Sequence, residues 1–241
     1  MELIYKYPTL YPGILIKRYK RFLADIKLDT GEQITAHCPN PGQMRGLSAP
    51  GSRVLVSRSQ NVKRKLRYSL ELVAVQNSEK TWVGVNTNLP NQVIKLALQQ
   101  RIFPELGEYE QIISEVTYGQ NQKSRVDFLL SRSQGKSPIY LEVKNVTWAE
   151  GKTALFPDAV TVRGQQHLLD MMAVVRKGAR AVTLFFISRS DCDQFVPGDN
   201  ADPVYGKLLR SAVKQGVEIL PCRFEMTPLG IRYLGLANLQ I

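Results

Sequence analysis

The chain is poor in cysteine and histidine, short of acid, and without any long apolar run. Its 3 cysteines, Cys38, Cys192 and Cys222, form no CxxC pair, so neither a disulfide framework nor a zinc site follows. The 2 histidines are His37 and His167, and His37 beside Cys38 makes no metal site without more ligands. No apolar stretch approaches the roughly 20 residues of a membrane-spanning helix. Met1-Glu2-Leu3-Ile4-Tyr5-Lys6 lacks the apolar core and cleavage site of a signal peptide. Nor is there a lipidation signal or a basic amphipathic helix. The cytoplasm is the expected compartment, with no membrane partner. Internal repeats and low-complexity tracts are absent too.

The shortage of acid leaves 32 Lys and Arg against 21 Asp and Glu over 241 residues, a net charge of +11. Residues 1–85 alone carry 14 basic and 6 acidic side chains, a net of +8. A polyanionic partner is expected, chiefly at the N-terminal half. The length suits one large or two small domains, and two are expected: 1–86 and 87–241.

Gly13 to Leu28 is a long run with strand-like alternation at both ends, then Thr30-Gly31 signals a hairpin before Glu32 to Cys38. Further strands are predicted at Arg53 to Ser57, Arg67 to Val75 and Thr81 to Asn86. Five short strands of this kind suggest a small closed barrel of the OB type, a fold whose face often binds oligonucleotides. An SH3-like barrel and an open meander are the rival readings. Asn88-Leu89-Pro90 opens a linker helix that continues through Gln92 to Ile102. Beyond Tyr109 come strands at 110–118, 125–130 and 139–146, then helices at about 163–177 and 203–215 alternating with strands at 181–188 and 217–221. A last strand covers 230–236. That order predicts an α/β domain with a mixed sheet covered on both faces.

The chemistry concentrates in Ser124-Arg125-Val126-Asp127-Phe128-Leu129-Leu130 and Ile139-Tyr140-Leu141-Glu142-Val143-Lys144. Alternation puts Arg125, Asp127 and Leu129 on one strand face and Val126, Phe128 and Leu130 on the other; Glu142 and Lys144 share a face. The Ser- and Gly-rich segment 131–138 reads as a hairpin loop that brings Asp127 beside Glu142. Two carboxylates and an ammonium can hold a divalent cation and activate water, as phosphodiester hydrolysis requires. The plain alternative is an Asp127–Lys144 or Arg125–Glu142 ion pair. Two clusters, Lys17, Arg18, Lys20, Arg21 and Lys63, Arg64, Lys65, Arg67, interleave with Tyr19, Phe22 and Tyr68. Cations of this kind meet phosphates while aromatic faces accept bases; an ordinary solvated basic face is the rival reading. Glu115 is a further acid upstream of Asp127, and Asp158 a candidate third acid if its loop folds back.

An Asp, then Glu-x-Lys about fifteen residues on, then a helix, resembles the core of the PD-(D/E)xK nuclease superfamily. Val126 stands where that motif has Pro, and the literal Pro157-Asp158 falls after the Glu-x-Lys. Tyr11-Pro12-Gly13, Lys20-Arg21-Phe22-Leu23-Ala24-Asp25, Ala36-His37-Cys38-Pro39-Asn40, Ser124-Arg125-Val126-Asp127-Phe128, Leu141-Glu142-Val143-Lys144 and Phe156 through Gly164 are together similar to the sugar fermentation stimulation protein A family. This resemblance implies an OB-like barrel, a nuclease-like α/β domain, DNA binding with little sequence preference, and a proposed role in regulating sugar (maltose) utilisation genes. It also implies that Asp127 and Glu142 are the carboxylates for Mg2+ or Mn2+ and that Lys144 orients or deprotonates water. Arg163 and His167 would lie near the phosphate, and Arg125 joins the expected DNA contacts. The sequence leaves the oligomeric state open.

Overall fold

The computed structural model describes residues 2–77, 79–118, 124–133 and 136–241, so Gln134 and Gly135 of the expected hairpin loop lie outside the described residues. The strand-like run Gly13–Leu28 is not one strand. After β1 (Tyr5–Lys6), β2 (Leu10–Tyr19) turns sharply into β3 (Leu23–Leu28). Lys20 and Arg21 make that turn with φ of 48° and 61°, left-handed values that a residue with a Cβ adopts at a cost. The barrel continues with β4 (Gln33–His37), β5 (Arg53–Arg58) and β6 (Tyr68–Gln76). Antiparallel pairings join β4 to β3, β3 to β2, β2 to β5 and β5 to β6, and a parallel β4–β6 pairing closes the ring. Leu15, Ile26, Val54, Val56 and Leu70 fill its interior.

The predicted strand at 81–86 is therefore not the barrel's fifth member. It is β7 (Lys80–Gly84), which pairs with β6 and then meets the second half of the chain through Met226 opposite Trp82. Helix α1 (Leu89–Gln99) starts at the predicted Asn88-Leu89-Pro90 and ends earlier than expected, before Arg101 turns to φ 56°. A short 3-10 turn, Pro104–Leu106, follows.

The second sheet begins with β8 (Gln111–Tyr118), β9 (Ser124–Ser131) and β10 (Ile139–Val146), paired antiparallel in that order. Helix α2 (Val162–Arg176) leads to β13 (Arg180–Ile187), parallel to β10; helix α3 (Pro203–Lys214) leads to β15 (Glu218–Met226), parallel to β13. Thr161 and Asp202 cap the two helices, accepting from the N–H groups of Gly164 at 3.2 Å and Tyr205 at 3.0 Å. Finally β16 (Gly230–Leu236) pairs antiparallel with β15 and β1. Between these elements the sequence reading had loops. The chain instead builds a small separate four-stranded sheet from β11 (Trp148–Glu150), β12 (Thr153–Phe156), β14 (Gln194–Pro197) and β17 (Asn238–Leu239), strands of 3, 4, 4 and 2 residues. Strands so short show no usable alternation in sequence.

The main sheet is covered on both faces, as its apolar runs require. Val182, Leu184 and Phe186 pack with Val93, Ile94 and Leu98 of α1. Ala181, Phe185 and Ile187 pack with Leu168 and Met171 of α2 and Leu209 of α3.

Candidate active site

Tyr140 lies opposite Leu129 and Leu141 opposite Phe128, so one step further along the same register brings Glu142 level with Asp127. The alternation expected along β9 breaks at that point. Val126 packs in the cluster beneath α2 and α3, whereas Phe128 and Leu130 pack in the cluster beneath α1. The partner strand is irregular at the same level. Ser114 pairs with Phe128 and Val116 with Val126, while Glu115 between them has φ 58°.

Freed from a regular strand position, the Asp127 carboxylate takes backbone and helix donors. The Val143 N–H donates to Oδ2 at 2.7 Å, and the Asn91 amide on α1 donates to Oδ1 at 2.7 Å. Burial raises the Asp127 pKa to about 6; the Glu142 charge adds to the rise, and these two hydrogen bonds with the Lys144 charge oppose it.

Glu142 is 3% exposed and points toward α2. Its Oε1 accepts from Lys144 Nζ at 2.6 Å and from Nδ1 of His167. Burial works against its charge, but the His167 hydrogen bond and the nearby Lys144 charge outweigh it, and the net shift is downward. Two neighbouring carboxylates are thus pushed apart in acidity. Oε2 of Glu142 is buried with no hydrogen-bond partner among the described residues.

His167 is 5% exposed and lies at the floor of a groove lined also by Arg163 and Gln166. Arg163 Nε donates to its Nε2 at 3.3 Å, and an arginine can only donate. The ring proton therefore sits on Nδ1, facing Glu142. His167 thus links an exposed arginine to a buried carboxylate.

The other expected contacts divide into free and committed cations. Lys20 and Arg21 stand exposed at the β2–β3 turn, and Lys63 and Lys65 are exposed in the loop before β6. Arg18 is committed instead: its guanidinium donates to the carbonyls of Asn40 at 2.8 Å, Gly42 at 3.0 Å and Arg21 at 3.1 Å. Arg64 is half-buried and donates to Ser69 Oγ at 2.9 Å. Lys17 lies 3.5 Å from Asp25, and Arg125 lies 3.0 Å from Glu115. Asp158 is no third acid. Its carboxylate accepts from the Met44 N–H at 3.2 Å, against the loop that follows β4.

Sequence reasoning passed over Asn91, because an asparagine on a helix 36 residues upstream of its carboxylate carries no local signal. It also passed over Asp170, buried on α2, which accepts from Ser124 Oγ and from Gln166 Nε2 at 3.2 Å. Its spacing of three from His167 on one helix face was the available clue. Among the described residues no group of three or more His, Cys, Asp or Glu side chains is placed to share a metal ion.

Comparison with known proteins places this architecture. Residues 16–85 match the SfsA N-terminal OB domain, and residues 88–230 match the Sugar fermentation stimulation protein RE domain. A sugar fermentation stimulation protein homolog of Nostoc punctiforme is 61% identical over 241 residues, 100% of both chains. One from Trichodesmium erythraeum is 63% identical over 238 residues, covering 99% of this chain and 94% of the relative. Among solved structures, Pyrococcus furiosus SfsA in complex with Ca2+ superposes with a TM-score of 0.88 at 26% identity, covering 100% of both chains. The chain belongs to the sugar fermentation stimulation protein family, with an N-terminal OB domain followed by an α/β domain built on a mixed sheet.

Proposed function

We propose that this member of the family binds duplex DNA with little sequence preference, and that Asp127, Glu142 and Lys144 form a divalent-metal-dependent nuclease site in a domain of PD-(D/E)xK type. The observation that carries the reading is Glu142 Oε2, a buried acceptor left without a partner among the described residues, near a second, half-buried carboxylate. An unpaired buried acceptor is costly unless something else satisfies it. The donor set fits a hard cation. Mg2+ takes one or two carboxylates and fills its remaining positions with water and phosphate oxygens, so a cluster of three protein acids is not needed. Asp127 keeps free lone pairs beyond its two hydrogen bonds. The Ca2+ bound by the Pyrococcus furiosus relative supports a divalent ion; Mg2+ or Mn2+ is the working pair for catalysis.

Bound there, the metal would neutralise a phosphate oxygen and acidify water. The chain's own residues set the frame. Asn91 and the Val143 N–H hold Asp127, and His167 holds Glu142. Lys144, half-buried on the same face as Glu142, supplies the ammonium that orients the attacking water. Lys20, Arg21, Lys63, Lys65 and Arg163 supply exposed charge for the backbone of a duplex. A regulatory role at sugar (maltose) utilisation genes would rest on that same binding.

Plasmid DNA incubated with the purified protein and Mg2+ or Mn2+ tests the reading. Cutting should vanish on chelation and in Lys144→Ala and Glu142→Gln. Cutting that survives both substitutions removes the enzymatic claim. A second reading, DNA binding without cutting, is favoured by the Lys144–Glu142 contact of 2.6 Å, which ties up the amine. It gives salt-sensitive binding, indifferent to chelator, with the DNA intact.

A further inference from the structure

Between the barrel and the site runs residues 157–162, a ridge with a groove on each side. One groove is lined by Arg18, Arg21 and Gln43 together with the ridge itself. The other is lined by Ser124, Arg125, Arg163, Gln166 and His167. At the crest, Val160 is 67% exposed and Val162 72% exposed. Single exposed valines are unremarkable, but these two share one short segment with an arginine-bearing groove on either flank.

The ridge is held from both ends. Asp158 accepts from the Met44 N–H of the barrel loop at 3.2 Å, and the Thr161 N–H donates to Asp202 at 2.9 Å. Thr161 in turn caps α2 through the Gly164 N–H at 3.2 Å. Two β-branched side chains, stiff at χ1, thus stand on a braced support.

We propose that Val160 and Val162 form an apolar wedge that enters the minor groove of a bound duplex and opens one base step beside the Glu142 site. The inference rests on the DNA-binding reading above. Charge complementarity selects the occupant: exposed Arg21 in one groove and exposed Arg163 in the other meet the phosphates of the two strands, while the crest between them faces the bases. Apolar wedges of this kind unstack a step at a cost in stacking energy and bend the duplex around the protein. Much of that cost is already spent where a step is mismatched. The wedge therefore selects for distorted duplex, which gives the site a preferred substrate structure without base-specific contacts.

The full-length protein, with chelator present so that nothing is cut, is titrated against two labelled duplexes of one sequence, one intact and one with a central mismatch. A 2-aminopurine beside the step reports unstacking. The expected result is binding to the mismatched duplex tighter by on the order of tenfold, with a rise in fluorescence. The double variant Val160→Ser, Val162→Ser should lose both effects yet keep its affinity for intact duplex within about twofold, since the phosphate contacts remain. Val160→Leu with Val162→Leu should retain the preference. Equal affinity of the parent protein for both duplexes, or a preference that survives the serine pair, overturns the wedge and leaves DNA binding standing. Failure to bind either duplex overturns both.

Discussion

Asp127→Asn in the metal-free protein should stabilise the fold at neutral pH and cease to do so in acid. The Asp127 carboxyl has a folded-state pKa of about 6 against an ordinary 3.8, chiefly through burial and then through the Glu142 charge. Because the folded state holds the proton more tightly, its stability is greatest below pH 3.8, is lost as pH climbs toward about 6, and is level above that. At about 1.4 kcal/mol per tenfold, the interval from 3.8 to about 6 corresponds to about 3 kcal/mol of penalty at pH 7.5. Asparagine removes the charge but has one acceptor oxygen for two donors, the Val143 N–H and the Asn91 amide. Losing one such bond returns about 1 to 2 kcal/mol. The net gain should be about 1 to 2 kcal/mol at pH 7.5, read from equilibrium urea unfolding with chelator present. Repeated at pH 3.5, the same comparison should show no gain. A variant that is less stable than the parent by an equal amount at both pH values would refute the electrostatic account and reduce Asp127 to a hydrogen-bonding residue.

Arg21→Ala and Arg18→Ala should act on different properties despite being near neighbours. Removing exposed Arg21 should lower the slope of log K for duplex against log salt by about 0.9 with the melting temperature unchanged, whereas removing Arg18, whose guanidinium holds three carbonyls, should cost about 2 kcal/mol of stability. Tyr205 is fully buried with no hydrogen-bond partner for its hydroxyl among the described residues, so Tyr205→Phe should raise stability by roughly 1 kcal/mol in thermal unfolding. Burial lifts the Glu71 carboxyl above its usual range despite hydrogen bonds from Ser57 and Asn86, so Glu71→Gln should gain stability relative to the parent as pH rises from 4 through the Glu71 folded-state pKa; a pH-independent difference counts against it.

The candidate site was legible where chemistry follows local pattern. Alternation in Ile139–Val146 puts Glu142 and Lys144 on one face, and a hairpin connection levels Asp127 with Glu142. What escaped were consequences of irregular backbone. Nothing in Ser114-Glu115-Val116 announces a left-handed residue, yet Glu115 at φ 58° sits where β8 and β9 change the face they offer the core. Nothing in Lys17-Arg18-Tyr19-Lys20-Arg21 announces a turn, because the residues that make it lack the glycine or asparagine such turns favour. Without that turn the barrel reads one strand short, and the strand at 81–86 is drafted to complete it. The two basic clusters show the same limit from another side. Composition counts Arg18 and Arg21 alike, but only geometry distinguishes a guanidinium spent on backbone carbonyls from one left to the solvent.

The turn also explains why a strained element is worth keeping. Two left-handed non-glycine residues cost of order 1 to 3 kcal/mol each, and the bond from the Arg18 guanidinium to the Arg21 carbonyl at 3.1 Å offsets only part of this. The return lies in position. The barrel is tied to the second sheet by Met226 opposite Trp82, and Ser188 Oγ donates to the carbonyls of Gly84 at 3.0 Å and Val146 at 2.9 Å. Ser188 directly follows β13, and Val146 is two residues from Lys144 on the site's own strand. Arg45 adds a stacking contact, its guanidinium 4.5 Å from the Trp148 ring centre. With barrel and site fixed to one another, the Lys20–Arg21 turn presents its charge at a set place beside the groove lined by residues 156–161. A long polyanion laid along that groove meets cations already in position, and the entropy of arranging them is spent in folding the protein, before any ligand arrives.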